Sequence, residues 1–304
     1  VKDRTLALCL VDPENDFQQL LRVEAEAAAA RSGLGLEVHH TGHDLGAQLR
    51  RLEALIARPA PPDAILVLAV RDQGLAKPAR AAVRAGISFL YLNRTEDDVE
   101  AVRRDAAPSA TAAVVCTDEV ETGRIQGRQY RRLLPDGGRV LYVEGSHRSL
   151  VARDRTAGLR EATRDTALEL VTLEAGWTAA EAREAVGRWL GIAARGGLRL
   201  DLVGCQNDQI AIGTLDALAA MAGELGRLEL ARVPVAGCDG TPAVGQALVR
   251  QGRLAATVCL PRSSGRAVEC AARFLLHGEA PPALVTLSAW SFPEEPTLRP
   301  LRAG

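Results

Sequence analysis

The feature that most constrains this chain is a repeated exchange between short apolar runs and longer amphipathic ones. Residues 6–11, 37–40, 64–69 and 88–92 form one set of apolar runs, and 140–143, 168–173, 200–203, 233–236 and 255–260 a second. Helical patterns fill the intervals over 17–31, 45–57, a stretch ending near Arg84, 120–134, 151–164, 179–194, 209–222 and 243–251. Gly33 and Gly86 stop two of them, and Pro59-Ala60-Pro61-Pro62 breaks the chain before the third strand. Runs this short, separated by helices, predict βαβ units with parallel strands buried on both faces. Right-handed crossovers then gather the C-terminal ends of the strands along one edge. The runs outnumber what one sheet comfortably holds, and 304 residues exceed one typical core, so two lobes are expected.

That geometry directs attention to the loops leaving the strands: 12–17, 70–73, 93–94, 144–155, 204–208 and 237–241. Each turns polar where an apolar run ends, and facing sheets would line a shared cleft with them. Catalytic patterns are missing from these loops. Gly33-Leu34-Gly35 precedes a strand and lacks the third glycine of a dinucleotide fingerprint, and no P-loop occurs. Ser146-His147 follows Gly145 without a nucleophile elbow. His39, His40 and His43 lack a completing carboxylate or thiol and read as a solvated strand end, while Asp97-Asp98 reads as surface. No enzyme, cofactor or metal is expected.

Composition removes further classes. Lys and Arg number 37 against 38 Asp and Glu, a net charge of −1 with no basic stripe, which argues against nucleic acid as a partner. A 47% apolar content excludes disorder, and the apolar runs are too short to span a bilayer. The charged start Val1-Lys2-Asp3-Arg4 leads into residues 5–11 without a cleavage pattern, so a mature or trimmed chain is expected. Cysteines 9, 116, 205, 238, 259 and 270 form no Cys-x-x-Cys pair and read as small buried hydrophobes, with a mild lean against an oxidising compartment.

In chain order, the segments LALCLVDPENDF, DAILVLAV, GISFLYLNR, VVCTDEVETG, RVLYVEG, ARDRTAGLREA, LVGCQNDQIAIG, VPVAGCDGTPA and GRLAATVCLP resemble the ribose/galactose-type periplasmic binding proteins of type I. The resemblance runs to about Leu287. It implies an α/β fold of two Rossmann-like parallel-sheet lobes, residues 1–116 with 260–286 and residues 117–259 with 287–304. Three crossovers, near 116–118, 257–260 and 287–289, would join lobes that close on a ligand by hinge motion. The implied function is non-catalytic: a monomeric, periplasmic component of an ABC-type importer that binds a small sugar or related solute and presents it to a membrane permease or receptor. Two other readings use the same fold. One is the sensing domain of a signalling receptor. The other is the effector domain of a lactose-repressor-like regulator, which would be cytoplasmic and which lacks here a helix-turn-helix before Leu6.

The resemblance also implies ligand positions. Asn15 and Phe17 match a polar group and a stacking ring in the first loop. Arg94 matches an arginine that forks onto vicinal hydroxyls, with Asn93 in place of the usual acid before it. Arg155 matches a second-lobe arginine, Trp177 an aromatic after a strand, and Asn207 and Asp239 an amide and a carboxylate. Asp208 reads as a helix N-cap, and Arg153 as a solvated neighbour of Arg155. Rings on C–H faces and planar bidentate groups on hydroxyls suit a polyol.

Several positions depart from the pattern. Gln18 replaces a second ring, Cys238 an aromatic beside Asp239, and Ala69 a polar strand-end residue, while TVCLP lacks a glutamine near the third hinge. These departures argue against a pentose held in the usual way. Arg94 and Arg155 against Asp239 leave one positive charge in excess, which suggests an anionic solute unless Glu14 or Asp16 supplies the counter-charge. The tail 291–304 is expected to wrap the surface.

Overall fold

The computed structural model describes residues 4–93, 97–193 and 199–301. Arg94, and Ala194 at the expected end of a helix, lie outside the described residues. In chain order the first stretch comprises β1 (Thr5–Leu10), α1 (Asp16–Arg31), β2 (Gly35–His40), α2 (Leu45–Ala57), β3 (Ala64–Leu68), α3 (Ala76–Arg84), β4 (Ser88–Leu92), α4 (Val99–Arg104) and β5 (Ala112–Thr117). The second comprises α5 (Glu119–Leu133), β6 (Gly138–Glu144), α6 (Leu150–Thr163), β7 (Leu168–Glu174), α7 (Ala179–Ala193), β8 (Leu202–Cys205), α8 (Asp208–Glu224), β9 (Val235–Asp239), α9 (Gly245–Arg250) and β10 (Ala256–Cys259). The chain then adds α10 (Ser263–His277) and β11 (Leu284–Leu287), and finally β12 (Trp290–Phe292).

These elements form two compact units, residues 1–117 with 261–287 and residues 118–260 with 288–304. The first unit has the sheet order β11-β5-β4-β3-β1-β2, and the second β12-β10-β9-β8-β6-β7. The two orders are the same arrangement used twice: β1 to β5 correspond to β6 to β10, and β11 to β12. All strands in the first sheet pair in parallel; in the second, β12 alone runs antiparallel, against β10. In each unit the order reverses about β1 or β6, the switch point where ligands bind in open α/β sheets.

Both faces of the inner strands of each sheet are buried, as period-two geometry demands of continuous apolar runs. In the first unit Ala7, Cys9, Ile65, Val67, Phe89 and Tyr91 pack under α2 and α3, and the alternate residues Leu6, Leu8 and Leu10 are also buried. In the second, Leu141, Val143 and Val203 join one core, while Val140, Tyr142 and Leu202 join another with Tyr130 and Leu159. All six cysteines are free thiols, and burial pushes Cys9 and Cys205 up to about 12, so these two are neutral packing groups.

Elements α4, β5, β11 and β12 lie outside the runs read from periodicity. Helix α4 is a six-residue turn capped by Asp98, whose carboxylate accepts from the Ala101 amide. Strands β11 and β12 are short and come after the last full βα repeat. The tail therefore does not simply wrap the surface, because Ser291 lies in β12 and extends the second sheet. Strand β9 is also displaced, from the expected 233–236 to Val235–Asp239, because Pro234 lacks the amide a central strand requires.

Candidate functional site

The predicted residues other than Arg94 fall at the C-terminal edges of the two sheets, and each unit positions its own set. In the first unit Asn15 is the N-cap of α1, its Oδ1 accepting from the Gln18 amide at 3.1 Å. Phe17, in the first turn of that helix, is buried. Asn93 directly follows β4 in left-handed backbone, φ 69°, and its Oδ1 accepts a hydrogen bond from the Ser263 hydroxyl at 2.8 Å.

One departure from the sugar-binding pattern, Gln18, has a local physical reason that two other glutamines share. Gln18 Oε1 accepts from the amides of Val11 at 2.8 Å and Asp12 at 3.0 Å, closing the end of β1. Gln48 does the same at β3, donating to the Leu68 carbonyl and accepting from the Val70 amide, beside Ala69. In the second unit Gln206 accepts from the Gly145 amide and donates to the Ala152 carbonyl and the Thr156 hydroxyl. A primary amide presents the same donor and acceptor as a peptide, so it can continue a strand's hydrogen bonding where the strand ends. Gln18→Ala would strand two amide donors, and a loss of about 2 kcal/mol is expected. Urea unfolding measures it; an unchanged midpoint would show that water replaces the side chain.

In the second unit Trp177 and Asn207 meet. Trp177 follows β7, and its half-buried ring lies so close over Gly145 that a Cβ there would overlap it. The Trp177 carbonyl accepts from Asn207 Nδ2 at 3.1 Å, while Asn207 Oδ1 accepts from the Ile210 amide at 2.7 Å. Asn207, not Asp208, is therefore the N-cap of α8. The expectation for Asp208 fails because its buried carboxylate accepts instead from the Gly240 amide at 2.8 Å and the Thr257 hydroxyl at 2.9 Å. It thereby ties the start of α8 to β10 and to the turn after β9. Asp239 ends β9 in left-handed backbone, φ 104°.

Arg155 is only 3% exposed. Its Nε donates to Glu119 Oε2 at 2.7 Å, and its Nη1 donates to the Gln206 carbonyl. Helices α5 and α6 cross closely enough for this because each carries a glycine at the contact. A Cβ on Gly123 would overlap the Arg155 carbonyl, and one on Gly158 the Val120 carbonyl. Gly123 lies four residues beyond Glu119, and Gly158 three beyond Arg155, so each pair shares a helix face. Burial alone would lower the Arg155 pKa, but its acidic neighbours Glu119 and Asp239 outweigh it and raise it above the ordinary arginine value. Burial also raises the Cys238 thiol, which is neutral near pH 7, so the two carboxylates supply the field.

Glu119 is an acid that the charge count made from the sequence left out. It matches Arg155 within its own unit. Sequence reading missed Glu119 because an acid in the first turn of a helix is ordinarily explained by the helix dipole. The usable signal was its spacing from Gly123. Gln206 and Ser263 were missed as well, having no motif of their own.

A cavity of about 660 Å³ in the second unit belongs to different residues, among them Arg131, Arg132, Pro135, Gly137 and Asp165. These precede β6 and β7, at the opposite sheet edge, and include none of the predicted contacts. Among the described residues no cluster of His, Cys, Asp and Glu could hold a metal ion. His39 stands 3.4 Å from Glu37 within a pair dominated by Arg58, and burial lowers its pKa. No helix among the described residues is long and apolar enough to cross a membrane.

Two doubly wound units of one topology, with amide, carboxylate, guanidinium and aromatic groups at their strand ends, define a solute-binding protein of the type I architecture. Residues 6–267 match the family described as periplasmic binding protein domain, and the chain belongs to that family. It is 28% identical over 269 residues to the "Putative rhizopine-binding protein" of Rhizobium meliloti, covering 84% of this chain and 83% of that one. It is 26% identical over 282 residues to the ribose import binding protein RbsB of Salmonella typhimurium, covering 90% and 86% respectively. Its fold is shared with an ABC transporter solute-binding protein of Actinobacillus succinogenes bound to D-allose, at TM-score 0.81 and 22% identity, covering 95% of this chain and 96% of that one. A Caulobacter myo-inositol binding protein bound to myo-inositol matches at TM-score 0.79 and 23% identity, with 95% and 93% covered.

Proposed function

We propose that this chain is the extracytoplasmic solute-binding component of an ABC-type importer, and that its solute is a small polyhydroxylated ring compound, a monosaccharide or cyclitol. Asn15, Phe17, Asn93 and Arg94 serve from the first unit, and Arg155, Trp177, Asn207 and Asp239 from the second. The chain acts as a monomer, and its macromolecular partner is a membrane permease.

One observation carries this reading. Among the described residues, the only non-glycine positions in left-handed backbone are Asn93 and Asp239. They occupy corresponding places in the two units, at the ends of β4 and β9. Such backbone favours glycine, and placing a side chain there stores strain of the kind concentrated at binding sites. Planar amide and carboxylate groups suit vicinal hydroxyls, and the half-buried Trp177 indole suits a C–H face. The relatives support the solute class, since their names and bound ligands are rhizopine, ribose, D-allose and myo-inositol.

Thermal unfolding of the purified, ligand-free protein against millimolar pentoses, hexoses, cyclitols and nucleosides tests it. A solute at 100 times its Kd adds roughly 2.7 kcal/mol to stability. Asp239→Ala should weaken a positive solute by roughly 100-fold, as expected for a lost charged hydrogen bond and its neighbours. Silence across the panel would overturn the proposal.

A further inference from the structure

We infer that Glu119 is a specificity-determining residue, which by pairing with Arg155 restricts this site to solutes without a negative charge. The inference rests on the binding reading above and adds to it a positioning residue and a charge class.

The geometry is that of a closed pair. Glu119 and Arg155 are 8% and 3% exposed, and their contact is a 2.7 Å charge-assisted hydrogen bond. Two of the three guanidinium nitrogens are held inside the second unit, one by Glu119 and one by the Gln206 carbonyl. The glycines at 123 and 158 let the two helices approach closely enough to hold the carboxylate there. A solute carboxylate or phosphate seeking a two-pronged grip on Arg155 would have to displace either Glu119 from Nε or the Gln206 carbonyl from Nη1, leaving a buried carboxylate or carbonyl without its partner.

Charge points the same way. Arg155 feels both Glu119 and Asp239, and with Arg94 of the proposed set counted, two guanidinium groups are matched by two carboxylates, leaving no excess positive charge for an anion. The neighbouring acids are bound elsewhere: Glu144 accepts from His147 and Thr156, and Asp208 from Gly240 and Thr257. An incoming anion therefore meets a set that is already balanced, in surroundings that screen charge weakly. A hydroxyl meets no such penalty, because it donates to a carboxylate and accepts from a guanidinium.

Calorimetric titration of the full chain with matched pairs decides the matter: D-glucose and D-glucuronate, D-galactose and D-galacturonate, D-ribose and D-ribose 5-phosphate, myo-inositol and its monophosphate. In whichever pair binds, the wild-type protein should favour the neutral member by roughly tenfold or more. Glu119→Gln keeps a hydrogen-bonding group of the same size and removes the charge. It should shift the neutral-to-anion ratio toward the anion by about tenfold. Glu119→Asp, which keeps the charge, should restore the wild-type ratio, and in an Arg155→Gln background Glu119→Gln should no longer move it. An unmoved ratio in Glu119→Gln, or a wild-type preference for the charged member, overturns this inference alone. The wild-type ratio remains a test if the variants fail to fold. Binding of no member of any pair overturns the solute-binding proposal and this inference together.

Discussion

Arg155→Met should destabilise the second unit by about 3–5 kcal/mol, the cost of leaving a buried charge without its partner. The carboxylate left behind is Glu119, 8% exposed and enclosed by the crossing of α5 and α6. Two hydrogen bonds disappear with the guanidinium, including the one that satisfies the Gln206 carbonyl. Methionine replaces the aliphatic stem, so the deficit reports the charged head rather than lost packing. The companion variant is Arg155→Met with Glu119→Leu. Removing both charges together should recover most of the loss, because a buried ion pair repays its desolvation only narrowly. Urea unfolding of the wild type, the single and the double variant measures all three. A single variant that loses less than about 1 kcal/mol would mean the pair is hydrated and behaves as a surface salt bridge.

Alanine substitutions at helical glycines should give opposite signs at two sites. Gly187 lies within α7 with open space where a Cβ would stand, so Gly187→Ala should add about 1 kcal/mol through helix propensity. Gly158 lies within α6, where a Cβ would overlap the Val120 carbonyl, a backbone atom that cannot turn aside. Gly158→Ala should therefore lose about 3 kcal/mol, the upper range for overpacking, despite the same gain in propensity. Prising α6 from α5 should also loosen the hold of Glu119 on Arg155. Urea midpoints at equal protein concentration give the comparison. Stabilisation at both positions would show that the two helices stand farther apart than described.

The strand-end loops were legible because apolar runs and turn residues are local signals. Asn93 and Asp239 lie in such loops and were singled out by the family resemblance, and the structure adds that both occupy left-handed backbone. Gln18 and Ala69 looked like lost ligand contacts. The structure explains Gln18 and the neighbouring Gln48 as groups that complete the hydrogen bonding of β1 and β3. Their partners lie between six and 22 residues away, beyond anything that side-chain periodicity encodes. The acid that pairs with Arg155 was illegible for a similar reason, since Glu119 is 36 residues distant and joins it only through a helix crossing.

By itself the sequence determined the alternation of strands and helices, the edge at which polar loops collect, and the ordered segments that mark the family. Those properties follow from side-chain period, turn chemistry and chain order, which hold wherever the segments finally pack. Tertiary structure alone decided which carboxylate neutralises Arg155, which glutamines end the strands, why Gly123 and Gly158 must be glycine, and that the tail supplies β12. Each depends on two distant backbones coming within contact. There burial turns an ordinary acid, amide or hydrogen atom into the one group that fits.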